Sequence, residues 1–180
     1  EAELERSKCN QITEQINECL ERSDLYFSQI DIAKFEKNIT DKNIQFSVEF
    51  EKENLFVNAD KDAIYQIIYN LCHNAIKFSS DGGKFAINIS RIPGKKIKVA
   101  IYNQGQPIAP EDAKHIFDRF YKTDKSRGLD KSGVGLGLYI SKTIIDAHEE
   151  EIWAESKDGG TEFTFTLKEG TVQPKKKSNV

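Results

Sequence analysis

The sequence predicts an α/β (α+β) sandwich: a mixed, mainly antiparallel sheet of about five strands with three main helices on one face. Three observations carry this. KFAINISRI and KIKVAIYN alternate apolar and polar residues and are joined by Pro93-Gly94-Lys95. EIWAES and TEFTFTL do the same around Asp158-Gly159-Gly160. Both read as β-hairpins. Segments with helical periodicity are interleaved with these strands, and a doubly wound parallel sheet fits that order less well.

Taken in order, Leu4, Ile12, Ile16, Leu20, Phe27 and Ile30 recur at mostly helical spacings among charged residues. Residues 1–39 therefore read as a helical region, with Asp31 starting a short second helix through Phe35. The main domain is expected over 40–168. NIQFSVEF (43–50) alternates like a strand, and NLFVNA (54–59) reads as a second, shorter one. Asp60 is a fitting N-cap for the helix that follows, which should end near the glycine turn SSDGG (79–83). After the first hairpin, Pro110 opens a short helix, EDAKHIFDRF. Residues 121–133 are charged and aperiodic and read as a mobile loop. A helix from about Val134 to His148 leads into the closing hairpin. The tail EGTVQPKKKSNV (169–180) has the composition of a disordered segment.

Composition narrows the function classes. The 180 residues are 38% hydrophobic and 31% charged, with a net charge of -3. That balance gives no reason to expect nucleic acid or an anionic membrane as partner. No apolar run approaches spanning length, and there is no secretory leader. The sequence has no methionine, not even at position 1. It therefore reads as an excised piece, with a membrane segment or further domains outside it. Cys9, Cys19 and Cys72 form no CxxC, and no histidine falls at metal-ligand spacing. The thiols read as buried or incidental in a reducing compartment, which places the chain in the cytoplasm.

The helix beginning at Lys61 carries an unusual stripe. At about 100° per residue, Asn70, Asn74 and Lys77 fall within about 60° of one another, beside the apolar sector of Ile64, Ile67, Leu71 and Ala75. Asparagine is a mediocre helix former, because its amide competes for backbone hydrogen bonds. A solvated stripe would carry Glu and Lys instead. Two explanations stand: amides that hydrogen-bond nearby loops, or neutral carbonyl oxygens for a hard cation such as Mg²⁺, with Lys77 as a point charge for phosphate.

SGVGLGLYI (132–140) places Gly133, Gly135 and Gly137 at a helix start. Glycines let backbone approach a ligand, and helix N-termini attract anions, yet the same glycines serve close packing equally well. The spacing matches neither a P-loop nor a dinucleotide fingerprint. Between the two segments lie Arg119, Lys122, Lys125, Arg127 and Lys131. They make either a solvated loop or a lid over a triphosphate.

The order of these segments resembles the catalytic, ATP-binding domain of sensor histidine kinases. NLCHNAIKF (70–78) looks like the family's N box, NQGQPI (103–108) stands where the G1 box belongs, HIFDRFYKTDKSR (115–127) looks like the F box, and GVGLGL (133–138) like the G2 box. The match runs from about residue 43 to 168. The resemblance implies a Bergerat-type fold that binds ATP and Mg²⁺. Asn74 would be the metal ligand, with Asn70 and Lys77 toward the phosphates and Arg119 serving the γ-phosphate. Phe78 would sit against the adenine, and Asn103 would accept a hydrogen bond from its amino group. Gly133, Gly135 and Gly137 would hold the lid end and the phosphates. Gly105, Ile108, Phe117, Phe120, Lys122, Arg127, Val134, Leu136 and Leu138 would complete the nucleotide contacts. The implied partners are the dimerisation and phosphoacceptor domain of the same protein and the receiver domain of a response regulator. The full-length protein would be a homodimer. This stretch would touch neither nucleic acid nor membrane.

Two departures matter. The family's G1 pattern is DxGxG, whereas here Asn103 replaces the Asp and Pro107 stands where a second glycine is common. Asn103 still offers an acceptor, but without charge, which implies weaker binding rather than none. Pro107 removes a donor and stiffens the turn. Second, none of His73, His115 and His148 has the context of a phosphoacceptor. All three read as structural, with His73 the exception to watch beside Asn74. The region 1–39 would then be the end of the dimerisation hairpin or its linker. Three rivals share the fold. A gyrase- or Hsp90-type ATPase needs a water-activating Glu where this helix has Asn70. A non-catalytic nucleotide sensor or adaptor is left open by Asn103 and Pro107. A serine kinase of the anti-sigma type fits the long F box and basic lid less well.

Overall fold

A computed structural model describes residues 33–51, 55–123 and 134–170. The helical pattern before Ala33, the lid residues Lys125, Arg127, Lys131 and Gly133, and the tail from Thr171 lie outside the described residues.

Helix α1 spans Ala33–Asp41. It runs six residues past the expected end at Phe35, because Ile39 lies one turn on and shares Phe35's buried face. Asn43, at φ 50°, turns the chain into strand β1, Gln45–Phe50. The expected strand over 54–59 is absent from its described part: only Val57 makes an isolated bridge, to Glu169. Helix α2 spans Lys61–Phe78, and the Asp60 side chain caps it by accepting from the Ala63 N–H at 2.8 Å. Strands β2 (Lys84–Ile92) and β3 (Lys96–Gln104) form the expected hairpin. Helix α3 is a single turn, Pro110–Ala113. Beyond it the chain continues as turns, with Asp118 N–H bonded to His115 O and Tyr121 N–H to Asp118 O, the tighter i→i−3 pattern. Helix α4 runs Gly137–Ala147. Strands β4 (Ile152–Lys157) and β5 (Gly160–Lys168) close the fold.

The sheet order is β1-β2-β3-β5-β4. Only β1 and β2 pair in parallel; every other pair is antiparallel. Register sets the two faces. Ile97 lies opposite Leu167, Val99 opposite Phe165, Ile101 opposite Phe163 and Asn103 opposite Thr161. Phe85, Ile87 and Ile89 of β2 continue the same face. The apolar members of this face form one buried cluster with Ile67, Ile68, Leu71, Ala75 and Ile76 of α2 and Ile145 of α4. At its end the face turns polar at Asn103 and Thr161.

Two ties hold α2 at this end. The Lys42 ammonium donates to Ile76 O (3.1 Å), Lys77 O (2.7 Å) and Ser79 O (3.0 Å). It thereby satisfies carbonyls that a helix C-terminus leaves open and meets the negative end of the dipole. Ser79 then bridges Gly105. A Cβ at Gly105 would collide with the Phe78 carbonyl, so only glycine lets the end of α2 pass this close to β3.

Away from this end, the buried Glu150 carboxylate accepts from the Thr166 hydroxyl at 2.6 Å and pairs with Lys96 at 2.9 Å. Burial pushes the Glu150 carboxyl up, but the Thr166 bond and Lys96 outweigh it and hold it below its usual value. Glu150→Ala should therefore cost about 1.5–3 kcal/mol of unfolding free energy, read by urea denaturation at neutral pH. The sign of the pH dependence follows from the lowered folded value. Wild type's advantage is complete above the unfolded carboxyl pKa of about 4.3 and fades as pH falls through the lower folded one. Equal stability at pH 7 would contradict this account.

Candidate functional site

A cavity of about 840 Å³ opens between α2, the polar end of the sheet and the start of α4. Helix α2 supplies one wall through Asn70, His73, Asn74, Lys77 and Phe78. Their spacing of three or four residues puts them on one stripe. Asn103, Thr161 and Phe163 form the floor. Ile108 and Val134 through Leu138 line it, with Lys122 at the edge of the described loop. So the asparagine stripe, the buried strand asparagine and the glycine turn, which lie far apart in sequence, face one space.

The stripe does two jobs. Asn70 Nδ2 donates to Gly137 O (3.0 Å) and to Ser141 Oγ (3.3 Å), both on α4. Its Oδ1 accepts from Gln66 Nε2 at 2.9 Å. Asn70 thus braces α4 against α2, which explains one of the two amides as a structural clasp. Asn74 lies one turn further into the cavity, half-buried. The Lys77 ammonium sits 5.5 Å from the Phe78 ring centroid, close enough for a cation–π attraction. Cys72, on the opposite side of the helix, is fully buried, and burial pushes its thiol up to about 12. It is inert at neutral pH.

On the facing wall, Leu136 precedes α4 without a side-chain cap. The first-turn amides are thus left to a ligand or to water. Gly135 has φ +71°, and a Cβ there would stand 2.8 Å from Tyr121 O. The Phe120 N–H donates to Gly135 O at 3.2 Å, joining the two stems that flank residues 124–133. At the strand end of the cavity, the loop 105–109 is fastened by two hydroxyls. Thr161 Oγ1 donates to Gln106 O (3.3 Å) and Ser156 Oγ to Ile108 O (2.6 Å).

Four expected contacts do not line the cavity. Gly105 serves the passage of Phe78 described above. Phe117 packs in the hydrophobic core. Phe120 is 55% exposed at φ +64°. Arg119 is exposed and stacks on the Phe120 ring at 4.6 Å. Arg127 and Gly133 lie outside the described residues. Conversely, the cavity recruits Glu111, Asp112, Tyr121, Thr123 and Thr161, which sequence reasoning missed. Thr161 carried a signal, as the polar member of the Thr161-Phe163-Phe165-Leu167 face. Tyr121, whose hydroxyl donates to Asp112 at 2.5 Å, carried none, because only tertiary packing brings that turn over α3. His148 is a structural tie: Nδ1 donates to Ile144 O (2.7 Å) and Nε2 accepts from the Asp60 N–H (3.4 Å).

The clasp can be tested directly. Asn70→Ala should lower stability by about 1–2 kcal/mol and raise amide exchange in the first turn of α4 more than in β2 or β3. Unchanged exchange at Gly137–Ser141 would contradict the bracing role.

The comparisons with known proteins agree with this geometry. The family model for histidine kinase-, DNA gyrase B-, and HSP90-like ATPases matches residues 59–171. The chain is similar to the sensor histidine kinase WalK of Bacillus subtilis (strain 168), 35% identical over 144 residues, covering 78% of this chain and 23% of that protein. It is also similar to the sensor protein kinase WalK of Staphylococcus aureus (strain MRSA252), 32% identical over 166 residues, covering 91% of this chain and 27% of that protein. It spans about a quarter of the length of these relatives. Among solved structures, the catalytic domain of histidine kinase ThkA matches with TM-score 0.67 at 35% identity, over 76% of this chain and 86% of that one. ThkA in complex with the response regulator protein TrrA matches with TM-score 0.65 at 28% identity, over 90% of this chain and 48% of that one. Family, relatives and fold converge: the chain belongs to the histidine kinase-, DNA gyrase B-, and HSP90-like ATPase family, as an ATP-binding catalytic domain of the sensor histidine kinase kind.

Proposed function

We propose that this domain binds ATP with Mg²⁺ in the α2–α4 cavity and hands the γ-phosphate to a histidine on the dimerisation domain of the same protein. One observation carries the reading: Asn74, Lys77 and the buried Asn103 face a single cavity at the start of α4. The donor set fits the ligand. Asn74 offers a neutral carbonyl oxygen, the type a hard cation shares with phosphate oxygens. Lys77 and the first-turn amides of α4 suit the phosphates. Asn103, on the floor, suits the base. Mg²⁺, held by Asn74, supplies neutralisation of phosphate charge when bound.

In the transfer, a nitrogen of the acceptor histidine forms a bond to the γ-phosphorus as the bond to the bridging oxygen breaks, and ADP leaves with that electron pair. Such transfer depends on positioning and charge stabilisation more than on a general base. Water activation is disfavoured here, because Asn70 is an amide and its hydrogens are engaged on α4. An aspartate on a response regulator receiver domain takes the phosphate next. The ThkA–TrrA complex supports that partnership by likeness. Residues before Ala33 would supply the end of the dimerisation hairpin or its linker, in a homodimeric protein. The domain would work in the cytoplasm; no described helix is long and apolar enough to cross a membrane.

Calorimetric titration of Mg-ATP and Mg-ADP tests the reading. Magnesium-dependent binding is expected, weakened about tenfold or more by Asn74→Ala and tightened by Asn103→Asp, whose charge strengthens the base contact. No binding at millimolar nucleotide would overturn the proposal.

A further inference from the structure

Among the described residues, two buried side-chain polar atoms lack a hydrogen-bond partner: Glu150 Oε1 and Asn103 Nδ2. Glu150 lies outside the cavity. Asn103 lines it and is only 1% exposed. A buried donor without a partner is rare and costly, and it needs an explanation. The backbone around Asn103 has no freedom to supply one. A Cβ at Gly160 would strike the Asn103 carbonyl, and one at Gly105 would strike the Phe78 carbonyl. The strand is therefore fixed from both sides, and the terminal amide torsion is what remains.

Half a turn about that torsion exchanges Oδ1 and Nδ2 with little change of shape. Because Nδ2 has no partner, the rotation breaks no hydrogen bond of that nitrogen. The amide can thus offer the cavity an acceptor or a donor. Purines differ at the atom such a group reads: adenine carries a donating amino group at position 6, while hypoxanthine and guanine carry an accepting oxygen. A carboxylate in this place presents an acceptor in either orientation and opposes the oxygen. An amide matches both. With an oxygen at position 6, the stranded N–H gains its partner, and the group left buried is an acceptor, the less costly of the two to leave unpaired.

We propose that this site accepts nucleoside triphosphates of 6-oxopurines, hypoxanthine or guanine, as well as ATP, and that Asn103 sets this breadth. The proposal rests on the nucleotide reading of the cavity. It goes beyond weaker ATP binding, because it names a second class of ligand and the atom that selects it.

Titration of Mg-ATP, Mg-ITP and Mg-GTP into the wild-type chain and Asn103→Asp tests it. ITP changes the 6-position edge without adding the 2-amino group of guanine. For wild type, ITP and GTP should bind within about tenfold of ATP. For Asn103→Asp, ITP should fall behind ATP by about a hundredfold, as a built acceptor rejects a ligand lacking the donor. Wild type that binds ATP but prefers it over ITP by about a hundredfold or more overturns the proposal and leaves the ATP reading standing. ITP bound and GTP refused overturns it for guanine alone. No binding of any nucleotide removes both readings. Equal preference in Asn103→Asp, with a melting curve like wild type's, removes Asn103 as the selector. Should that variant unfold, the wild-type ratio of ITP to ATP decides by itself.

Discussion

The amide of Asn70 holds the first turn of α4 against the middle of α2, and the cavity depends on that spacing. Gly137 packs directly on the clasp: a Cβ there would stand in ordinary contact, 3.5 Å from the Asn70 amide carbon. Ser141 supplies the second acceptor, fully buried at the same interface. A larger residue at position 137 would push α4 away, and a charge at position 70 would be half-buried without a matching partner. The stripe that reads as one polar feature in sequence therefore divides its labour. One asparagine sets the distance between the walls, and the next faces the space between them.

The strand end of the cavity follows another logic. There the sheet's apolar face ends in Asn103 and Thr161, which are paired across β3 and β5. Two backbone approaches fix their position, Gly105 against Phe78 and Gly160 against Asn103, and the Lys42 side chain holds the last carbonyls of α2 nearby. Rigid backbone around a buried amide is what a recognition group needs, since a loose one would lose part of its binding energy to ordering. On the proposed reading, the residues for the phosphates, Asn74 and Lys77, sit on a helix beside the start of another, and Asn103 and Thr161 sit on strands. Both sets rest on elements rather than on the loop between them.

Much of this was legible in the sequence. The two hairpins announced themselves through alternation and glycine turns, and α2 through its period and the Asp60 cap. Asn74 stood out as a polar residue beside the apolar sector of its helix, whereas Asn103 was singled out through the resemblance of NQGQPI to a G1 box. The failures have physical causes. Residues 55–59 alternate as a strand does, but their pairing with residues 168–170 stops at the one Val57–Glu169 bridge, so no longer ladder forms. The stretch after Pro110 has helical composition, yet Ile116 and Phe117 are both drawn into the core and the chain tightens into turns. Apart from these, Arg119 and Phe120, expected at the nucleotide, are placed stacked on each other outside the cavity. Lys42 as a helix cap was invisible, because its carbonyl partners lie more than thirty residues away.

Paramagnetic mapping on the isotope-labelled chain tests the central claim most directly. Mn²⁺ in place of Mg²⁺, added with ADP, broadens resonances near the ion. The account predicts the strongest broadening at the Asn74 side chain, with weaker effects at Lys77 and Leu136. Asn103 should shift on nucleotide binding without severe broadening, and Ser90 and Lys98, far along the sheet, should not respond. Broadening centred elsewhere, or an Asn103 indifferent to nucleotide, would contradict a single metal–nucleotide site between α2 and α4.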